Sequence, residues 1–150
     1  MASASALTDH TGYWMRMVSN AVSQEFARKV SGKDVTVAEW AFMRALYDLE
    51  RTPPSVLAER MGMTKGAISK LGERLIAKGL VERAESQEDK RAHSLSLTKE
   101  GRAKIPVLAS LADENDAEFF GVLTKEDHEA LDRILRVLAE RRELKATPVD

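Results

Sequence analysis

Apolar side chains recur every three or four positions over most of the chain, which is the spacing of amphipathic helices. A first long helix is predicted over Tyr13–Val30, and a second begins at Thr36, where Glu39 is placed to complete a capping box. The second helix is predicted to extend to about residue 50. The apolar stripe of the first helix consists of Trp14, Met17, Val18, Val22 and Phe26.

The segment from Pro54 to Leu80 has the spacing of two short helices that cross through a tight turn. Proline is tolerated in a first helical turn, so Pro54 opens the first of these helices, with Ser55 as a candidate cap just inside it. Gly62 suits a turn residue with positive φ, and Ala58 leaves room for the crossing helix.

The second short helix starts after Thr64, which is placed as an N-cap. Its buried stripe is predicted to be Ile68, Leu71 and Leu75. The opposite face is small and polar, and consists of Gly66, Ser69, Lys70, Glu73 and Ala77, with Lys65 and Arg74 at its edges. Such a face suits the DNA major groove, although an ordinary helical hairpin with a solvated face has the same spacing.

Two short strands are predicted after this pair of helices, at Leu80–Arg83 and His93–Leu97, because apolar and polar residues alternate there. The charged loop 84–92 joins them and carries Lys90 and Arg91 at its tip. A helix-turn-helix followed by a two-stranded ribbon is a winged helix, and an arginine at the tip of the wing can enter the narrow minor groove. Asp89 is expected to brace Arg91 or to cap the loop.

Two further helices are predicted after Thr98 and Thr124, the last over residues 125–144. Pro106 lies inside the first of them and is expected to kink it or to delay its start. The ends 1–9 and 146–150 are expected to fray. The apolar stripe of the last helix consists of Leu131, Ile134, Leu135 and Leu138.

The fold class is therefore mainly α with a small two-stranded wing. Residues 36–104 are expected to form a winged helix-turn-helix lobe that binds DNA, and residues 1–35 and 105–150 a helical dimerisation region. A winged helix needs only about half of the 150 residues. The apolar stripes of the first and last helices consequently need a partner surface, for which packing within one chain is the alternative.

The net charge of −1 argues against nucleic acid when taken alone. It hides an uneven distribution, because residues 1–52 carry six basic and six acidic side chains, residues 53–104 eleven and seven, and residues 105–150 six and eleven. The middle segment therefore has a charge of +4, between segments of 0 and −5. This pattern places a polyanion contact between residues 53 and 104, unless the surface charges vary at random.

Composition excludes several classes of protein. With 43% hydrophobic and 31% charged residues the chain can bury a core, and the absence of cysteine removes disulfides and thiol chemistry. No signal peptide or membrane span is recognisable, so a cytoplasmic location is expected. The three histidines, His10, His93 and His128, are far apart, and no catalytic, nucleotide-binding or metal motif is present. We therefore expect neither an enzyme nor a cofactor.

Residues 89–98, DKRAHSLSLT, resemble the wing signature of the MarR family of bacterial transcriptional regulators, with its Asp-x-Arg start and Leu-x-Leu-Thr end. Residues 63–71 and 78–83 similarly resemble that family's recognition helix and its exit into the wing. The resemblance implies a homodimer that binds a pseudo-palindromic operator. The candidate DNA-binding residues are Ser55, Thr64, Lys65, Gly66, Ser69, Lys70, Arg74, Lys90 and Arg91.

The resemblance also implies a small-molecule effector, typically an aromatic acid or a derivative, that binds between the dimer helices and the lobe and releases DNA. Core packing is the alternative role for the aromatic and methionine side chains that could line such a pocket. The resulting hypothesis is a ligand-responsive repressor, and its alternative is a winged-helix module that binds an acidic protein without specific DNA binding. The candidate effector residues are Tyr13, Trp14, Arg16, Met17, Trp40 and Met43.

Overall fold

A computed structural model describes residues 2–85, 93–145 and 147–149 of the chain. The described residues form six α-helices and one two-stranded sheet, which confirms the predicted fold class. A 3₁₀ turn at Leu7–Asp9 precedes the first helix. The elements are α1 (Thr11–Ser31), α2 (Val37–Tyr47), α3 (Pro54–Met61), α4 (Lys65–Ala77), β1 (Val81–Glu85), β2 (His93–Leu97), α5 (Lys99–Phe120) and α6 (Lys125–Arg141).

The predicted helix starts and the tight turn are confirmed. The hydroxyl oxygens of Thr36, Thr64, Thr98 and Thr124 each accept a hydrogen bond from the backbone N–H three residues further on. Gly62, between α3 and α4, has a φ of 63°, the left-handed conformation that glycine adopts without a steric cost. The Gly62 turn and the Thr64 cap together join the end of α3 to the start of α4.

Several local predictions are wrong. Ser55 does not cap α3, because the N-cap is Pro53 and no side chain caps that helix. Of the two effects expected of Pro106, a delayed start of α5 is wrong, because the helix begins at Lys99 under its Thr98 cap and continues past the proline. A kink at Pro106 stays a prediction. Residues 7–9 are not frayed: they form the 3₁₀ turn, and the Trp14 indole donates a hydrogen bond to the Thr8 carbonyl over 3.1 Å.

The core lies where α2, α3 and α4 pack against the wing sheet. Ile68 and Leu75, on the predicted buried stripe of α4, are fully buried, as are Phe42 of α2 and Leu57 of α3. The strands β1 and β2 are antiparallel and pair Val81 with Leu97. This packing leaves the opposite face of α4 in solvent.

The sheet also pairs with Thr52, which the sequence analysis did not predict. The backbone N–H of Thr52 donates to the Leu95 carbonyl over 2.9 Å, and the Leu95 N–H donates back over 2.8 Å. Thr52 is buried and lies just before α3. The wing is therefore fixed to the helix-turn-helix by backbone hydrogen bonds.

The start of α5 touches the start of the wing. A β-carbon at Gly101 would collide with the carbonyl group of Leu80. That carbonyl accepts a hydrogen bond from the Thr98 N–H over 3.1 Å, and the Thr98 hydroxyl donates to the Gly79 carbonyl over 2.7 Å. The lobe and α5 are thus joined backbone to backbone.

A buried polar cluster docks α1 against α5. The Asn115 side chain is buried, donates to the Val22 carbonyl over 3.1 Å and accepts from the Lys29 ammonium over 3.0 Å. Lys29 also pairs with Glu118 at 2.7 Å. In the described ranges, no helix combines the length and the apolarity that a bilayer crossing needs.

The N-terminus of α2 is tied to α4 by the fully buried carboxylate of Glu39. Its Oε1 accepts from the Thr36 N–H at 2.8 Å and from the Lys78 ammonium at 3.0 Å, and lies 3.5 Å from the Arg74 guanidinium. Within the described part of the chain, Oε2 has no hydrogen-bond partner. Burial alone would raise the pKa of Glu39, but the Thr36 N–H and the Lys78 ammonium outweigh it, and the pKa lies below its ordinary value.

We expect Glu39→Gln to lower the free energy of unfolding at pH 7 by about 1–3 kcal/mol, because Lys78 and Arg74 lose their buried anion. Because the pKa of Glu39 is lower in the folded protein than its ordinary value, the carboxylate stabilises the fold at pH values above that ordinary pKa. This stabilisation is lost as the pH falls through the folded-state pKa. The difference between the variant and the wild type should therefore shrink in acid.

Urea unfolding of both proteins from pH 7 down to about pH 3 measures this difference. Glu59→Gln, on the exposed surface of α3, makes the same chemical change outside the cluster and is the matched control. If Glu39→Gln unfolds like this control at every pH, the assigned role of the buried carboxylate is wrong.

Candidate DNA interface and the cavity behind it

The exposed face of α4 carries most of the residues predicted to bind DNA. All of the candidates on this helix and its cap are exposed: Thr64, Lys65, Gly66, Ser69, Lys70 and Arg74. Helix α4 holds them on a rigid element, because its other face is anchored by Ile68, Leu71 and Leu75. A β-carbon at Gly66 would meet only the Thr64 hydroxyl at 4.0 Å, so this end of the helix leaves room for close approach.

The Thr64 hydroxyl has a structural role besides its exposed position. Its oxygen accepts the Ala67 N–H over 3.1 Å, and its own O–H is left to donate elsewhere. Lys65 and Lys70 form no ion pair within the described residues. The face therefore offers hydroxyl and ammonium groups, which can donate hydrogen bonds to DNA bases and phosphates.

Arg74 differs from the other candidates on α4. Its guanidinium pairs with the buried Glu39 at 3.5 Å while about half of its side chain, 53%, stays exposed. The structure thus places Arg74 at the edge of the polar face, where it links α4 to α2. Ser55 is exposed at the start of α3, on a neighbouring element.

The wing tip falls outside the described residues. The candidates Asp89, Lys90 and Arg91 lie in the segment 86–92, of which the structure gives no description. The described strands end with Glu85 opposite His93 at the base of that segment. The predicted role of Arg91 in the minor groove therefore stays a prediction.

A cavity of about 1090 Å³ lies behind the lobe, between α1, α2 and α5. Its walls combine apolar side chains with three arginines and two aspartates, and residues 147–149 form part of the wall. The lining includes Phe26, Trp40, Ala41, Arg44, Arg60 and Arg74. Arg44 also pairs with Asp48 at 2.8 Å.

The structure does not bring the six candidate effector residues together. Of these six residues, only Trp40 lines the cavity. Met43 is fully buried in the core of the lobe, and Trp14 and Met17 are about half exposed near the start of α1. Tyr13 and Arg16 lie in the same first turns, whereas the cavity meets α1 between Val22 and Ala27, roughly 10 Å further along the helix axis.

Three functional roles were not predicted from the sequence: Glu39 as an ion-pair centre, and Arg44 and Arg60 as cavity residues. A charged residue in the otherwise apolar start of α2 is a signal that could have found Glu39. No sequence signal marks Arg44 or Arg60, because the cavity exists only once residues from five helices have packed around it.

Comparison with known proteins gives consistent matches. The sequence profile of the MarR family matches residues 33–92. The chain is 31% identical to the transcriptional regulator HosA of Escherichia coli over 103 residues, which are 69% of this chain and 76% of HosA.

Two solved structures share the fold. The first is a mutant of Escherichia coli MarR in complex with operator DNA, which is 24% identical, with a TM-score of 0.74 over 85% of this chain and 91% of that one. The second is BpsR of Bordetella bronchiseptica, whose DNA binding is regulated by 6-hydroxynicotinic acid. BpsR is 20% identical, with a TM-score of 0.77 over 91% of this chain and 98% of that one.

The profile match covers α2, α3, α4 and β1, and the fold shared with the operator-bound MarR mutant extends over 85% of the chain. The match to HosA extends this likeness over two thirds of the chain. The chain therefore belongs to the MarR family of winged-helix transcriptional regulators and is not an enzyme.

Proposed function

We propose that the protein is a homodimeric repressor that binds a pseudo-palindromic operator and is released by a small aromatic acid. In this proposal α4 enters the major groove and the loop 84–92 enters the minor groove. The observation that carries it is the exposed face of α4, where small side chains alternate with hydroxyl and ammonium donors over a fully packed opposite face.

The shape of this face supports insertion into the major groove. Gly66 and Ser69 let the helix backbone approach the base edges, and Lys65 and Lys70 reach bases or phosphates. The +4 charge of residues 53–104 supports the same orientation, because it concentrates positive potential on the lobe rather than on the terminal helices.

The terminal helices support a dimer. Helix α6 has no buried residue, yet its apolar stripe is long, and Trp14, Met17 and Val18 of α1 are similarly half exposed. Covering such faces is a common cause of association, and two-fold symmetry would place two copies of α4 about 34 Å apart along one face of DNA. The half-exposed apolar residues of α6 are Ile134, Leu135, Val137 and Leu138.

The cavity supports an acidic aromatic effector. Phe26 and Trp40 offer flat apolar surface, while Arg60 and Arg74 offer guanidinium groups that bind carboxylates. Arg74 belongs to α4, so a ligand that contacts it acts directly on the proposed recognition helix. BpsR, which shares the fold, has its DNA binding regulated by a hydroxylated pyridine carboxylic acid.

We expect Lys70→Ala and Arg91→Ala each to weaken operator binding about tenfold, which is about 1.4 kcal/mol, because each removes a cation from a groove. The operator is a duplex selected from a random library by the wild-type protein. Fluorescence anisotropy at fixed salt measures the affinity, and light scattering checks that the dimer is intact.

Lys125→Ala, on α6 and outside the lobe, removes the same charge and should bind as the wild type does. Unchanged affinity in both test variants would contradict the proposed interface. A selection that enriches no sequence, with only weak retention of any DNA, would favour the protein-binding alternative.

We expect Leu135→Glu to convert the dimer into a monomer, because it places a charge in the apolar stripe of α6. Arg133→Glu, on the opposite face of the same helix, should leave the dimer intact. Sedimentation equilibrium measures the mass of each, and a dimeric Leu135→Glu variant would show that this stripe is not the interface.

We expect aromatic carboxylates to bind the cavity and release the operator. Salicylate, 2-naphthoate and 6-hydroxynicotinate are suitable probes, and Arg60→Gln should weaken the binding of any active one about tenfold by removing a charge-assisted hydrogen bond. Calorimetry measures binding and anisotropy measures release. Arg51→Gln makes the same change outside the cavity and is the control. The effector site would be contradicted if both variants lost the same affinity for the probe, or if no probe bound the wild type.

A further inference from the structure

We propose that an acidic ligand in the cavity takes Arg74 away from Glu39, and that this exchange of ion-pair partners is how the ligand acts on α4. The proposal rests on the cavity being a site for aromatic carboxylates, as above, and assigns the coupling to one residue. Arg74 lines the cavity, pairs with Glu39 at 3.5 Å and belongs to the proposed recognition helix. It is therefore in position both to contact a ligand and to change how α4 is held.

The Arg74 contact is the longest of the three that the Glu39 carboxylate makes. The Thr36 N–H and the Lys78 ammonium donate hydrogen bonds to Glu39 Oε1 over 2.8 and 3.0 Å. Within the described residues, the Arg74 guanidinium forms an ion pair with that oxygen but no hydrogen bond, and about half of its side chain, 53%, is exposed. A long and partly solvated ion pair is weaker than a short charge-assisted hydrogen bond. Glu39 can therefore lose Arg74 while its other two contacts stay in place.

The other two arginines of the cavity lack this connection to α4. Arg44 pairs with Asp48, which lies just beyond the end of the same helix, α2, at 2.8 Å. Arg60 belongs to α3 and forms no ion pair within the described residues. A carboxylate that binds either of them breaks no contact between α2 and α4. Arg74 is the cavity arginine whose transfer to a ligand does break one.

Loss of the Arg74 pair acts close to the proposed DNA contacts. Lys70 lies one helical turn before Arg74 on α4. Once Arg74 is withdrawn, the ion pair of Lys78 with Glu39 remains, and Lys78 is the C-cap residue of the helix. The apolar contacts of the buried face also remain, but such contacts are not directional. The exposed face of α4 can then shift relative to the rest of the lobe.

The buried carboxylate also limits how tightly a ligand can bind. Glu39 is fully buried, and within the described part of the chain its Oε2 has no hydrogen-bond partner. Withdrawal of Arg74 leaves this buried anion less well compensated, and the cost opposes ligand binding. Glu39 is thus a competitor of the ligand for Arg74, and removal of its charge should strengthen ligand binding.

The first test measures the binding of 2-naphthoate to full-length variants by isothermal titration calorimetry. We expect Glu39→Gln to bind about threefold more tightly than the wild type, and Arg74→Gln about fivefold more weakly. The double variant should bind as Arg74→Gln does, because Glu39 acts through Arg74. Glu59→Gln, on the exposed surface of α3, is the matched control and should bind as the wild type does. Unchanged or weaker binding by Glu39→Gln, or effects that simply add in the double variant, would overturn the proposal.

The second test does not depend on the stability of Glu39→Gln. Fluorescence anisotropy gives the operator affinity of each protein with and without saturating 2-naphthoate. We expect the ligand to weaken operator binding about tenfold in the wild type and less than about twofold in Arg74→Gln. Arg51→Gln makes the same change outside the cavity and should respond as the wild type does. A purely structural role of Arg74 would lower the operator affinity equally with and without ligand, and this unchanged ratio would overturn the proposal.

Failure of the proposed function gives a different result. If 2-naphthoate binds none of these proteins, the cavity is not a site for such acids, and the exchange of partners is rejected with it. If 2-naphthoate releases the operator from the wild type and from Arg74→Gln alike, the effector site stands and only the role of Arg74 is wrong. Operator binding without ligand is measured separately, so the DNA-binding proposal is tested independently of both.

Discussion

The buried carboxylate of Glu39 is the interaction on which the geometry of the lobe depends. It closes the first turn of α2 through Thr36 and holds two cations from the C-terminal end of α4, Lys78 and Arg74. A buried anion is costly unless it is paired, so the lobe is most stable when these cations stay in place. These ion pairs therefore hold the orientation of α4. They also hold the positions from which its exposed side chains extend on the proposed DNA face.

Most of the lobe could be predicted from the sequence because its signals are local. Threonine caps, the left-handed Gly62 and the spacing of Ile68, Leu71 and Leu75 each act within a turn or two of helix. The errors arose where tertiary packing decides the outcome. Pro106 is accommodated within a helix that is well capped and packed, and the N-terminal turn gains the Trp14 indole as a hydrogen-bond donor in addition to its own local hydrogen bonds.

The cavity could not be predicted for the same reason. Its walls come from five helices, α1 to α5, and from residues 147–149, which are brought together only by packing. The sequence supplied aromatic and methionine residues at helical spacing, but spacing does not say which turn of α1 faces α2. The position of α1 depends on the Asn115 cluster, because the Asn115 side chain donates a hydrogen bond to the Val22 carbonyl and holds that part of α1 next to α5. Polar docking contacts of this kind leave little trace in a hydrophobic pattern.

The close contact between Gly101 and the Leu80 carbonyl makes α5 a lever arm. The 22 residues of this helix span about 33 Å. Its N-terminal end is in direct backbone contact with the lobe, so no flexible side chain lies between them. A tilt of about 5° at the far end of such a rod would therefore displace the lobe by about 3 Å. That is comparable to the length of a hydrogen bond, so small adjustments between the terminal helices would be enough to move the proposed DNA face of α4 into or out of reach of base edges.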